Sequence, residues 1–151
     1  MQPRMKNPAS VVPGAVEATQ KMWGAALKSG VPQSTLDLVH IRASLINGCG
    51  FCLGLHTAER HSAEELARFL SVGGWREVPG FTDAERAALA LTEAVTRIAD
   101  SSDPVPDEVW DEAARHYDEQ QLGGLLVAIS TVNVWNRFNV ATRQIAGTGW
   151  D

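Results

Sequence analysis

Apolar residues recur along most of this chain at spacings of three and four, the period of an α-helix, and the runs are separated by glycine, proline or capping residues. Val16, Met22, Trp23 and Leu27 suit a helix from Gly14 to Lys28, ended by Ser29-Gly30. Beyond Val31-Pro32-Gln33, the positions Leu36, Val39, Ala43 and Ile46 keep helical spacing, while Leu38, Ile41 and Leu45 make the opposite side apolar too. A helix apolar on nearly every face is a buried one. Its N-cap is expected at Ser34. Asn47-Gly48 interrupts it, and a helix carrying Cys49 and Cys52 follows with Asn47 as its expected N-cap. Ser62-Ala-Glu-Glu65 and Thr82-Asp-Ala-Glu85 read as capping boxes opening helices to about Val72 and Ala99. Between them, Gly73-Gly74 and Pro79-Gly80 mark a loop carrying Trp75. A polar linker at 100–106, a short helix from Pro106 to Tyr117 and a last long helix capped near Asp118 and running to about Ala146 complete the pattern. Gly123-Gly124 inside that last helix implies close approach by a neighbour. No stretch alternates with the period of a strand. The chain is therefore expected to be all-α: one domain over 14–147, an irregular arm at 1–13 with Pro3, Pro8 and Pro13, and a short tail at 148–151.

Length and composition narrow the function classes. With 151 residues, 44% hydrophobic and 21% charged, the chain is an ordinary single globular domain. A net charge of −5 without a Lys/Arg-rich run argues against nucleic acid as a partner. No apolar run approaches the roughly 20 residues of a membrane-spanning helix, and the N-terminus lacks the apolar core of a secretory signal. A cytoplasmic location is the expectation.

The chemistry concentrates in Asn47-Gly-Cys-Gly-Phe-Cys-Leu-Gly-Leu-His56. Both cysteines of the chain lie here, spaced Cys-x-x-Cys. On a helix Cys52 and His56 form an i,i+4 pair on one face, and Cys49 lies one turn before Cys52. A first-turn cysteine meets free N–H groups and the positive end of the helix dipole, which favour thiolate. This reads as a redox dithiol with a base beside it. A pair of small buried hydrophobes is the bland alternative, and His56 alone would read as a satisfied core histidine. Cys49, Cys52, His56 and His61 also invite a metal reading, but four ligands strung along one short helix fan outward and do not close a tetrahedron. No metal is expected. His61, His40 and His116 are expected at the surface or partly buried, outside the site. Asp37, three residues after Ser34, suits a capping role. Phe51, Trp135 and Phe138 read as core or interface aromatics, and Asn133, Asn136, Arg137 and Asn139 as polar groups satisfying one another or a subunit contact.

The run from Leu36 through Asn47-Gly-Cys-Gly-Phe-Cys-Leu-Gly-Leu-His-Thr resembles the core motif of the AhpD-like, carboxymuconolactone decarboxylase superfamily. Thr82 to Thr96 and Val134-Trp-Asn-Arg-Phe-Asn-Val-Ala are similar to its later helices, so the resemblance covers roughly 35–145. It implies an AhpD-like helical bundle of about six to seven helices, a homo-oligomer (trimer or hexamer), and thiol-dependent reduction of hydroperoxides. In the alkylhydroperoxidase pattern a Glu lies twelve residues before the first Cys and a His directly before the second. Here those positions hold Asp37 and Phe51. By the resemblance, Cys52 attacks the peroxide, Cys49 resolves the sulfenic acid, His56 takes the proton and Asp37 supports His56, with Glu59 as understudy. No cofactor is implied, since sulfur carries the electrons, but an external dithiol must re-reduce the pair. Two other readings stay open: a sensor or thiol–disulfide exchange protein without turnover, and a decarboxylase- or isomerase-like use of the same pocket.

Overall fold

The structure is a computed structural model describing residues 1–58 and 62–149. Glu59 and His61 therefore lie outside the described residues. Among the described residues there are eight α-helices, two single 3-10 turns and no strand. The helices are α1 (Pro8–Val11), α2 (Ala15–Ala26), α3 (Gln33–Ile46), α4 (Gly50–Ala58), α5 (Ala63–Ser71), α6 (Asp83–Thr96), α7 (Asp107–His116) and α8 (Glu119–Thr142). No helix among them is long and apolar enough to cross a membrane.

The helix expected to be buried is the centre of the molecule. Leu36 and Val39 of α3 join Leu91 of α6 and Leu125 and Ile129 of α8 in the main core. On its other side Leu38 and Ile41 pack with Val72, Trp75, Phe81 and Leu89. α3 thus bridges two apolar clusters, as its two-sided pattern requires.

Helix starts follow local chemistry closely. Ser62 and Glu65, Thr82 and Glu85, and Asp118 and Gln121 each form complete capping boxes. Elsewhere the boundaries differ from those expected. α3 begins at Gln33 with Pro32 as N-cap rather than Ser34, because the ring of Pro32 presets an extended residue there and lacks the N–H a helix start would leave unbonded. Asp37 consequently falls in the second turn and cannot close a capping box. It accepts instead from Gln33 Nε2 at 2.8 Å. Asn47 ends α3 as its C-cap instead of opening α4, and Gly48 follows with φ 65°. α8 stops at Thr142, four residues short of the expected end, where Arg143 turns left-handed at φ 56°. Within the segment read as an irregular arm, Pro8–Val11 makes one helical turn, with Asn7 as the cap and Pro at the first position.

The paired glycines of α8 are not equivalent. A Cβ on Gly123 would meet open space, but one on Gly124 would come within 2.1 Å of Ser29 Oγ and 2.2 Å of Ser29 Cβ. Gly124→Ala is expected to lower stability by about 1–3 kcal/mol through overpacking. Adding Ser29→Gly, which removes both clashing atoms, should recover most of the loss in urea unfolding. An undiminished loss in the double variant would mean that backbone effects, not the contact, are responsible.

Candidate functional site: a cysteine pair in an asparagine cradle

Cys49 and Cys52 are joined as a disulfide, with Cα atoms 5.4 Å apart. Cys49 does not sit inside the first turn, as expected, but immediately before it. Its carbonyl accepts from Leu53 N at 3.1 Å, and its sulfur accepts from Cys52 N at 3.3 Å. Sulfur therefore occupies the place a capping oxygen would take, and the dipole argument survives the shift. Both cysteines are 1% exposed and cluster with Phe51. The Cys49 side borders a cavity of about 160 Å³, lined also by Gly48, Gly50, Asn139, Arg143 and Gln144.

The wall opposite the cysteines is one face of α8. Asn133, Asn136 and Asn139 recur every three residues, so their amides line up along the helix. Asn136 donates from Nδ2 to Cys52 Sγ at 3.1 Å and to Ser44 Oγ at 3.0 Å. Asn139 donates from Nδ2 to Cys52 Sγ at 3.3 Å, and to Cys49 Sγ at the longer distance of 3.8 Å. The oxygens of these amides are occupied. Asn136 Oδ1 and Asn133 Oδ1 accept from Asn47 at 2.8 and 3.0 Å, and Asn139 Oδ1 accepts from Asn7 at 2.7 Å. Cys52 thus receives two side-chain N–H groups, a setting that stabilises sulfur most when it carries negative charge.

His56 lies one turn past Cys52 on α4. It borders a cavity of about 450 Å³ together with Trp23, Gln33, Asp37, His40, Leu55 and Trp135. The structure therefore places Asp37 and His56 on one cavity, across α3 and α4. His40 belongs there too, contrary to the expectation that it lies outside the site. It is 7% exposed, and its ring packs edge-on against His56 with centroids 4.5 Å apart. It lies on the side of α3 that packs against the rings of Trp23, His56 and Trp135, and these bury it. Nε2 of His40 has no hydrogen-bond partner among the described residues.

Burial, with the neighbouring His56 a second cause, lowers the pKa of His40 from 6.5 to about 3. The unfolded chain takes up this proton below pH 6.5, whereas the folded chain refuses it until about 3. Stability is consequently lost as pH falls through that window, by about 2 kcal/mol at pH 5. His40→Leu is expected to remove that part of the pH dependence in urea unfolding at pH 7 and 5. An unchanged pH dependence would place the titration elsewhere.

Sequence reasoning singled out Cys49, Cys52, His56 and Asp37 as candidates and assigned the asparagines only to one another or to a subunit contact. Arg137 does bond Asn133, but Asn136 and Asn139 take their partners elsewhere, from Asn47, Ser44 and Asn7, and donate to the sulfurs. The available signal was the three-residue spacing of amides on a helix too apolar to be exposed. Among the described residues no group of three or more His, Cys, Asp or Glu side chains is arranged to hold a metal ion.

Comparison with known proteins places this arrangement. Residues 13–94 match the carboxymuconolactone decarboxylase family. The chain is 34% identical over 132 residues to YdfG of Bacillus subtilis (strain 168), covering 87% of this chain and 88% of YdfG. It is 31% identical over 122 residues to YnjA of Escherichia coli (strain K12), covering 79% of this chain and 64% of YnjA. ATU0492 from Agrobacterium tumefaciens, a protein of unknown function proposed to be the antioxidant defence protein AhpD, superposes with a TM-score of 0.83 at 30% identity over 98% of this chain and 100% of its own. The debrominase Bmp8, solved with 2,3,4-tribromopyrrole, shares the fold with a TM-score of 0.72 at 19% identity over 92% and 74%. On the matched family segment and these relatives, with the same all-helical fold, the chain belongs to the carboxymuconolactone decarboxylase family in its AhpD-like form.

Proposed function

We propose that this protein is a thiol-dependent peroxidase acting on hydroperoxides. The observation that carries the reading is the asymmetry of the cradle, in which two asparagine amides converge on Cys52 within a pair able to close a disulfide. In the reduced protein the Cys52 thiolate attacks the outer oxygen of a hydroperoxide. The O–O bond breaks, Cys52 becomes a sulfenic acid, and the alkoxide leaves as the alcohol after taking a proton. The Cys49 thiol then attacks that sulfur, forming the disulfide and releasing water. His56 takes the proton from the Cys52 thiol before attack, and Asp37 on the same cavity supports the imidazolium so formed.

Re-reduction consumes an external dithiol, which is oxidised to its own disulfide as two electrons pass to the pair. Its thiolate enters at Cys49, beside the Arg143 cavity, because Cys52, stabilised by both amides, is the better leaving group. Assembly into a homo-oligomer belongs to the same proposal. Leu45 and Leu70, 38% and 83% exposed, border an apolar cavity next to His56 that suits a second copy.

The burial of both cysteines, each 1% exposed, favours one second reading: a single stoichiometric oxidation by which the dithiol senses oxidants. Intact mass after one equivalent of cumene hydroperoxide, followed by thiol alkylation, tests the first step. The expected result is loss of two hydrogens in the wild type and a Cys52 sulfenic acid in Cys49→Ser. Full alkylation of both proteins would end the peroxidase reading. Repeated turnover with a dithiol reductant separates the enzyme from the sensor.

A further inference from the structure

We propose that Asn7 is a positioning residue for the cysteine pair: it fixes which way the Asn139 amide faces and thereby sets how readily the disulfide is reduced. The inference rests on reading Cys49 and Cys52 as a redox dithiol.

The argument follows from the chemistry of a carboxamide, which has one accepting end and one donating end. Asn7 is the N-cap of α1, and its Oδ1 accepts from Ala9 N at 2.9 Å. With its oxygen committed to the backbone, Asn7 presents Nδ2 to its other neighbour, donating to Asn139 Oδ1 at 2.7 Å. Asn139 is left to present its own Nδ2 to the sulfurs. Inverting Asn139 would set two N–H₂ groups against each other and turn an oxygen toward a thiolate. Asn7 is 0% exposed and Asn139 2%, so water does not offer either amide an alternative. A fixed polarity thus runs from a backbone N–H of α1, through two side chains, to the reacting sulfur.

The arm that carries Asn7 is tied to the end of α8. Arg4 donates from its backbone N to Thr142 O at 2.8 Å and from Nη1 to Ala141 O at 3.0 Å, and Gln144 Nε2 donates to Met5 O at 3.0 Å. The other groups facing the sulfurs come from elsewhere: Asn136 from α8, itself bonded to Ser44 of α3, with Arg143 and Gln144 at the Cys49 cavity and His56 one turn along α4. Of these, only the Asn139 amide takes its orientation from α1. An N–H directed at a thiolate binds more strongly than one directed at a disulfide sulfur. Correct orientation of Asn139 therefore stabilises the reduced pair and makes the disulfide easier to reduce.

The test uses the full chain with Asn7→Ser and Asn7→Asp, equilibrated in mixtures of reduced and oxidised glutathione, alkylated and weighed. Serine still caps α1 but is too short to hold Asn139. Aspartate also caps, yet both its oxygens accept, so it draws the Asn139 N–H₂ away from the sulfurs. The equilibrium is expected to move toward the disulfide by about tenfold in Asn7→Ser, the effect of loosening one hydrogen bond to a charged group, and further in Asn7→Asp. The alkylation rate of Cys52 at neutral pH should fall in the same order. If Asn7→Asp does not fold, Asn7→Ser decides alone. A role confined to capping would lower the melting temperature of Asn7→Ser and leave its glutathione equilibrium at the wild-type value; that result overturns the inference while the redox reading stands. A wild type that forms no reversible disulfide in the same buffers overturns both.

Discussion

Replacing Cys52 by serine is expected to reduce hydroperoxide consumption to the level of buffer, while Cys49→Ser still undergoes a single oxidation and fails to turn over. The two variants differ because the two sulfurs have different surroundings. Cys52 receives amide N–H groups at 3.1 and 3.3 Å, whereas Cys49 receives one at 3.8 Å and a backbone N–H at 3.3 Å. A serine hydroxyl in the same cradle keeps its proton at neutral pH, so the nucleophile is lost even though the donors remain. Asn136→Leu, close in size, removes one of the two donors to Cys52, together with the bonds to Ser44 and Asn47. A hydrogen bond to a charged group is worth about 1.5–3 kcal/mol, so its loss disfavours the Cys52 thiolate. Peroxide oxidation at pH 7 would then slow by about ten- to a hundredfold. Peroxide consumption monitored with a dithiol reductant, and iodoacetamide rates against pH, provide the measurements. Substantial consumption by Cys52→Ser would refute the assigned roles.

The largest loss of stability is expected from Glu93→Ala, about 3–5 kcal/mol. Glu93 lies on α6 with its side chain 12% exposed, and it gathers three side chains from two other parts of the fold. Arg42 of α3 donates from Nε at 2.8 Å, Trp75 from Nε1 at 2.8 Å, and Arg76 from Nη1 and Nη2 at 3.1 and 2.8 Å. The Arg42 side chain is 13% exposed, so removing the carboxylate leaves a guanidinium buried without its counter-charge. Arg76 is 55% exposed and adds little. The loss corresponds to a fall in melting temperature of roughly 10 °C for a chain of this size. Burial by itself would raise the Glu93 pKa, but hydrogen bonds from Arg76 and Trp75 and the charges of Arg42 and Arg76 outweigh it and hold the carboxyl below 4.5. A depressed carboxylate stabilises the fold above pH 4.5 and ceases to do so as pH falls through its folded value. The deficit of Glu93→Ala should therefore narrow in acid. Calorimetry at pH 7 and at pH 4 measures both effects. A melting temperature within about a degree of wild type at pH 7 would show that Arg42 finds another partner.

The site was legible in proportion to how local its chemistry is. Cys49, Cys52 and His56 sit within eight residues, so helical spacing alone aligns them. Ser62, Thr82 and Asp118 announced their helices because a capping box is complete within four residues. Ser34 failed as a cap because Pro32, one residue before the helix, took that place. His40 was misplaced because the rings that bury it, Trp23, His56 and Trp135, come from α2, α4 and α8, which the spacing along α3 does not reveal.

What the sequence determined by itself is the all-helical class, the central buried helix, three helix starts and the closely spaced cysteine pair, all written in short-range periods and caps. Only the tertiary structure decided which amides meet the sulfurs. Asn7 and Asn139 are 132 residues apart, and Asn136 reaches Cys52 across 84. No local rule couples such positions. Folding does, because a buried amide must satisfy both its ends, and here the partners that satisfy it orient it toward the cysteine sulfurs.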